Sequence, residues 1–280
     1  MDTNIIKPFF LAGKIFVLIP TSFGNKKAIF YEKVFVVFLF CLCILGTCTP
    51  MYYRRSQYLK LNPIQLALWL SADLNRCCQS YYSLIVLVVW KRHKWFKLMR
   101  NLNNVNMYSK RDKIFDSCLF VLSHIGICCL LSSMVYFCFS RFGYNCLMLY
   151  QAEHYQFYSQ FFYMLLSCVV LRLLLARYRS QTLLLIDTGF QKNVSLYNTT
   201  FKNLQQIKNN IVILKEMVDM FNDIFGGAIL LNILYISSKS LIYLDNMVKK
   251  DTAFKSSRRD GNVFLYFIQG GIMTTFWVSF

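Results

Sequence analysis

Long apolar runs alternate along this chain with shorter polar segments that are mostly basic. Apolar runs of this length, with few charges inside them, are typical of helices that cross a membrane. The pattern predicts an all-α fold, a polytopic transmembrane helical bundle whose six spans form one membrane domain over residues 1–280. The six predicted spans are residues 34–48, 64–90, 118–139, 150–176, 221–244 and 262–280.

Two further helical stretches are predicted outside these spans. Residues 9–20 are apolar but short, and Lys14 interrupts them, so we expect an N-terminal helix at the inner membrane interface. Residues 177–220 predict a cytoplasmic helical link between the fourth and fifth spans. Pro50 is expected to close the first span, because proline seldom continues a helix.

The helical link carries an apolar stripe whose members recur at steps of three or four, which places them on one helix face. The loop offers no soluble domain in which such a stripe could be buried. We therefore expect a contact between subunits at Phe201, Leu204, Ile211, Leu214, Val218 and Phe221. Beyond the stripe, Gly226 and Gly227 would let another backbone approach closely inside the bilayer.

Composition agrees with a membrane protein. Hydrophobic residues make up 56% of the chain and the mean hydropathy is +0.40, which is too apolar for a soluble domain. The formal charge of +18 would suggest a nucleic-acid partner for a soluble protein. Here the bases lie between apolar runs, so membrane topology explains them. We expect the lipid bilayer as a partner and no nucleic acid.

The basic residues also predict an orientation, because loops on the cytoplasmic side of a membrane are enriched in Lys and Arg. The N-terminal segment and the connections after spans two and four hold nineteen Lys and Arg residues, against nine in the opposite connections. Five of those nine precede the sixth span and favour the reverse orientation. The balance predicts an N-terminus inside the cell and a multi-pass protein of the plasma membrane.

No residue pattern indicates catalysis or metal binding. The eleven Cys residues lie in or beside apolar segments without a CxxC motif, and the three His residues are not at the spacing of metal ligands. We therefore expect a protein that is not an enzyme and that has neither a metal nor another cofactor.

Aromatic side chains recur near the predicted outer ends of several spans, with a few polar groups among them. Such walls suit small organic ligands, but the same residues would also serve as packing or as an interfacial belt. Asp73 and Arg76 share a helix face, either as a self-neutralising structural pair or as the polar wall of a cavity. His154 could titrate near neutral pH. The candidate ligand-pocket residues are Trp69, Asp73, Arg76, Tyr136, His154, Tyr155, Tyr158, Phe162 and Tyr266.

The start of the fifth span resembles the insect gustatory receptor family. The resemblance lies in an amphipathic helix followed by Phe221-Asn222-Asp223-Ile224-Phe225-Gly226-Gly227 and an apolar run to Leu234-Tyr235. Phe264-Leu265-Tyr266-Phe267-Ile268-Gln269, at the start of the sixth span, is also similar to that family. An inside N-terminus, a basic loop after span two and a long helical link agree with it across the chain.

The resemblance implies a taste receptor subunit. Members of the family are ligand-gated cation channels that detect sugars or bitter compounds, assemble as homo- or hetero-tetramers and have a ligand pocket that opens toward the outside. In the family a seventh span lines the ion pathway and carries Thr-Tyr and Gln-Phe. Thr274-Thr275-Phe276-Trp277 does not reproduce that signature, and the chain given ends at Phe280. A chain without this span is expected not to conduct alone.

Two other interpretations remain open. The first is a truncated relative without function of its own. The second is a polytopic transporter or membrane enzyme, which would need polar residues deep in several spans or a catalytic group.

The orientation leads to a first testable prediction. A glycosylation acceptor inserted between Lys91 and Lys113 should stay unmodified, whereas one inserted between Arg141 and Leu149 should be glycosylated. A mobility shift on a gel, sensitive to glycosidase, measures both. Modification of the first site without the second would reverse the orientation.

Overall fold

The computed structural model describes residues 7–16, 18–20, 26–53, 55–59, 61–104, 110–190 and 197–251. Every regular element among these residues is a helix, which confirms the predicted all-α class for this part of the chain. In order, the elements are α1 (Lys7–Ile15), α2 (Lys26–Tyr53), α3 (Arg55–Tyr58), α4 (Pro63–Ser80), a π-helical segment (Tyr81–Trp90), α5 (Arg92–Asn104), α6 (Lys110–Phe142), α7 (Tyr144–Phe190) and α8 (Tyr197–Asp251).

Three of the described helices are long and apolar enough to cross a membrane. They are Lys26–Tyr52, Gln151–Ile186 and Leu204–Ile242, and they coincide with the first, fourth and fifth predicted spans. Val121–Tyr136, within the third predicted span, is a shorter apolar helical stretch. The sixth predicted span, residues 262–280, lies outside the described residues. The chain is thus compatible with a membrane protein, and the count of six spans stays a prediction.

The helices are longer than the apolar runs that predicted them. Of the predicted helical link, residues 177–190 are the last part of α7 and residues 197–220 are the first part of α8. Pro50 does not close the first span, because it lies inside α2. Thr47 and Thr49 donate hydrogen bonds to the carbonyls of Cys43 and Leu45 at 2.8 and 2.9 Å, whereas the carbonyl that loses its helical donor at Pro50 is that of Gly46.

The central helix of the bundle is α7. Within an 18-residue apolar stretch of each helix, 72% of the residues are buried in α7, against 22% in α2 and 28% in α8. Phe162, Leu165 and Leu166 are completely buried within the core. A Cβ atom on Gly46 of α2 would overlap Ala152, so this small pair sets the close separation of α2 and α7.

The last residues of the N-terminal segment pack against α7, whereas Leu11 and Ile15 of α1 are exposed. Tyr155 of α7 donates a hydrogen bond to the carbonyl of Phe16 at 2.9 Å, and the Phe16 ring lies 4.3 Å from that of Tyr158. Leu18 and Ile19 are fully buried. The end of the segment is thus held by the bundle, and the interfacial location of the N-terminal helix stays a prediction.

The π-helical segment lies between α2, α4 and α8, and residues 83–88 within it are all buried. A helix that is apolar on every side suits either such an enclosed position or contact with lipid. On α8, Gly227 faces the phenol group of Tyr82 from this segment, whereas no atom of the described residues lies within 4 Å of a Cβ placed on Gly226. The close approach is therefore made by a side chain at one glycine, and not by another backbone at both.

These two glycines provide a matched test of packing. Gly227→Ala should lower stability by about 1–3 kcal/mol, because the new methyl group overlaps Tyr82. Gly226→Ala should stay within about 1 kcal/mol of the native chain, on the stabilising side, because alanine favours a helix. The unfolding midpoint of each variant in detergent micelles measures the difference. Equal midpoints would show that the Tyr82 contact does not restrict the side chain at position 227.

Candidate functional site

Three helices place polar side chains on the faces where they meet. Helix α4 contributes Asp73, Arg76 and Gln79, and helix α8 contributes Asn232, Tyr235 and Lys239, at steps of three or four. Helix α7 adds Glu153 and Gln160, which are seven residues apart. We call these eight residues the polar column. They lie between helices that are otherwise mostly apolar, and polar groups in such positions are usually functional.

The first layer of the polar column is ionic. An Arg76 nitrogen lies 3.0 Å from the Glu153 carboxylate and another lies 3.8 Å from Asp73. Tyr58 donates a hydrogen bond to Asp73 at 3.0 Å. The side chains of Asp73, Arg76 and Glu153 are only 3%, 12% and 20% exposed. One guanidinium group therefore joins carboxylates from two helices in a shielded position.

Lys239 adds a second cation to the ionic layer. Its ammonium group lies 5.2 Å from the ring centre of Trp69 and 5.7 Å from that of Tyr235, at distances typical of cation–π contacts. It also interacts electrostatically with Asp73 and Glu153. Two cations and two carboxylates thus balance in charge, which lowers the cost of holding four ionisable groups away from water.

The second layer consists of buried amides. The Asn232 side-chain oxygen accepts hydrogen bonds from the amide nitrogens of Gln79, at 3.3 Å, and Gln160. Among the described residues, the Asn232 amide nitrogen and the Gln79 amide oxygen have no hydrogen-bonding partner. A donor and an acceptor therefore remain on neighbouring buried amides, a combination that a hydroxyl or amide group can satisfy.

The predicted pocket residues fall into two groups. Trp69, Asp73 and Arg76 belong to or contact the ionic layer. His154 follows Glu153 on α7 and is half-buried. The second group faces the N-terminal segment and α6, and it consists of Tyr155, Tyr158 and Phe162. Of the other two predicted residues, Tyr136 is exposed on α6 and Tyr266 lies outside the described residues.

The second, aromatic group surrounds His124 of α6. The His124 ring lies 6.2, 6.0 and 6.5 Å from the rings of Tyr158, Phe161 and Phe162. Because Phe16 already packs on Tyr158, this part of the predicted pocket is filled by the chain's own side chains. The polar column is therefore the stronger candidate for a binding site.

Six residues of the polar column are not among the predicted pocket residues: Gln79, Glu153, Gln160, Asn232, Tyr235 and Lys239. Their signal is a polar periodicity, since polar residues recur at helical steps on α4 and again on α8. Apolar periodicity does not mark such positions. The pairing of α4 and α8 residues was also not readable from local sequence.

The residues of the predicted subunit contact do not all share one environment. Leu214 and Phe221 are buried in the core of the bundle. Leu204, Ile211 and Val218 are 43%, 44% and 40% exposed, and they recur every seven residues along α8. These three form an apolar edge, and the side chain of Phe201 lies outside the described residues.

Comparisons with known protein families, with curated proteins and with solved structures find no match. Within the part of the chain that the structure describes, no group of three or more His, Cys, Asp or Glu side chains could hold a metal ion. The assignment of a function therefore depends on the polar column and on the sequence patterns.

The ionic layer predicts a strong effect of one substitution. Arg76→Gln should lower stability by about 3 kcal/mol, because it leaves Asp73 and Glu153 shielded from water without their shared cation. Adding Asp73→Asn and Glu153→Gln to this variant should recover part of the loss. Thermal unfolding in detergent micelles gives the comparison. Arg179→Gln, at an exposed position of α7, is the control with equal charge loss and should leave the midpoint unchanged.

Proposed function

We propose that this chain is a chemoreceptor subunit of the gustatory receptor type, which detects small molecules such as sugars or bitter compounds. In this proposal it is a multi-pass protein of the plasma membrane with six spans and an inside N-terminus. It acts as a subunit of a ligand-gated cation channel, a homo- or hetero-tetramer with related subunits.

The observation that carries the proposal is the polar column. Small-molecule sites are mostly apolar and contain a few placed polar groups. Here Trp69 and Tyr235 supply aromatic surface, while the second layer offers an amide donor and acceptor without protein partners among the described residues. A ligand with a hydroxyl or amide group would satisfy both.

The same column connects binding to a structural response. Its residues come from α4, α7 and α8, so a ligand that bonds with Asn232 would change the contacts among three helices. Helix α8 continues without interruption to the apolar edge of Leu204, Ile211 and Val218. A movement of α8 would therefore reach the surface where contact with another subunit is expected.

A transporter is the second candidate, and one observation favours it. Polar residues deep in several apolar helices are expected of a transporter, and the polar column supplies them on α4, α7 and α8. A transporter would move the bound molecule across the membrane, whereas a receptor subunit would only bind it.

Ligand binding is testable with the purified chain in lipid nanodiscs. A panel of sugars, polyols and bitter alkaloids should include compounds that raise the unfolding midpoint in proportion to the logarithm of their concentration. Asn232→Leu should abolish the shift, because it removes the amide donor offered to the ligand and the acceptor that joins Gln79 and Gln160. Tyr136→Phe, at an exposed position of α6, should retain the ligand-induced shift of the midpoint.

Two results would count against the receptor assignment. A shift that survives Asn232→Leu would place binding outside the polar column. Accumulation of the radiolabelled ligand inside proteoliposomes would favour the transporter.

A further inference from the structure

One face of α5 is basic and exposed. Lys91 and α5 together contain five Lys and Arg residues and no Asp or Glu. His93, Lys94, Lys97 and Arg100 lie at helical steps on the outward side, and we call them the basic face. Lys94 and Lys97 have 53% and 37% of their side-chain surface exposed.

The opposite face fixes α5 against the bundle. Trp95, Leu98, Met99 and Leu102 are buried in the core. The Trp95 ring lies 6.3 Å from that of Phe225 on α8 in an edge-on arrangement. The basic face is therefore held in a defined position along α5, and it is not part of a freely moving loop.

Acidic residues of neighbouring helices neutralise only part of this charge. Asp223 pairs with both Lys91, at 3.1 Å, and Lys94, at 2.9 Å. Glu216 pairs with Lys97, and Glu32 of α2 pairs with Arg92 at 2.9 Å. Three acids thus face five bases.

Arg100 contributes to the excess of positive charge, and His93 lies on the same face. Neither has an ion pair or hydrogen bond with another side chain among the described residues, and both are exposed. Lys94 shares its carboxylate with Lys91, so it also remains available to a further anion. The basic face therefore has unneutralised charge along about 9 Å of helix, the rise between Lys94 and Arg100.

The basic face begins where an apolar segment ends. The buried π-helical segment closes with Trp90, whose side chain is 66% exposed, and α5 starts two residues later. An exposed Trp followed by Lys and Arg is typical of the boundary between hydrocarbon and headgroups. The bases therefore lie at the depth where lipid phosphates would be found.

We propose that the basic face of α5 binds the headgroup phosphate of an anionic membrane lipid. Lys94 and Arg100 supply the cationic contacts, Trp90 lies along the acyl chains, and Asp223 and Glu216 hold the remaining lysines in place. Basic clusters directly beside a membrane helix attract anionic lipids. The proposal is independent of the receptor function, because it needs only a bilayer and these side chains.

The test uses fluorescence of the native chain in nanodiscs. Phosphatidylserine or phosphatidylcholine with brominated acyl chains is titrated into unbrominated phosphatidylcholine, and a Trp90→Phe chain supplies the background to subtract. Brominated phosphatidylserine should quench the Trp90 signal at a mole fraction at least about five-fold lower than brominated phosphatidylcholine, as expected when a base lies near the headgroups.

Variants locate the binding site. The preference is the ratio of the mole fractions at which brominated phosphatidylcholine and brominated phosphatidylserine quench Trp90. The double variant Lys94→Gln with Arg100→Gln should reduce this ratio to near one, whereas Lys94→Arg with Arg100→Lys should retain it. Lys208→Gln with Lys215→Gln removes equal charge from exposed positions on α8 and should not change it. An unchanged preference in the first variant, or an equal loss in the α8 control, would overturn the proposal.

Two further measurements distinguish lipid binding from a loss of fold and from binding of a soluble anion. All variants should unfold at the native midpoint, because the changed side chains are exposed. Millimolar inorganic phosphate or glycerophosphoserine should not abolish the quenching. If a soluble headgroup displaces the lipid, the site recognises a free phosphate, and the assignment to a membrane lipid is wrong.

Discussion

The ion pairs of Arg76 constrain the arrangement of α4, α7 and α8. A single guanidinium group lies between Asp73 on its own helix and Glu153 on α7, with Lys239 of α8 close by. Each charge in this shielded place is tolerable only while its partners stay within a few ångström. The three helices must therefore keep one axial register, and a slide of α7 or α8 by one turn would separate the charges. Apolar packing alone would permit several registers.

A second set of charged contacts lies further along α8. Lys91 bonds to both the carboxylate and the backbone carbonyl of Asp223, and Tyr163 bonds to the carbonyl of Ile224 at 3.2 Å. From Asp223 to Lys239 the helix rises about 24 Å. Helix α8 is thus held at two levels by different charged partners, with the Asn232 amide contacts and apolar packing between them. Among the described residues, a change at one level can reach the other through the helix itself, through the Asn232 amides or through the Tyr82 contact at Gly227.

The sequence predicted most of the helices, because each apolar run is longer than a turn or loop permits. It did not predict their ends. Helix α2 continues through Pro50, and α7 continues past Ala176 into a polar stretch that periodicity alone assigned to a link. Asp73 and Arg76 were identifiable as a pair from their spacing. Their contacts with Glu153 and the nearby Lys239 join residues that are far apart in sequence, and only tertiary packing brings them together.

The lengths of α7 and α8 have a mechanical consequence. With 47 and 55 residues, these helices measure about 70 and 80 Å, more than twice the hydrocarbon thickness of a bilayer. A bilayer can enclose only part of either rod, so the remainder must project into the aqueous phase unless the rods lie strongly tilted. A rod of this length acts as a lever: a tilt of a few degrees at the polar column displaces its far end by several ångström. Small adjustments among side chains could therefore be amplified without any helix unfolding.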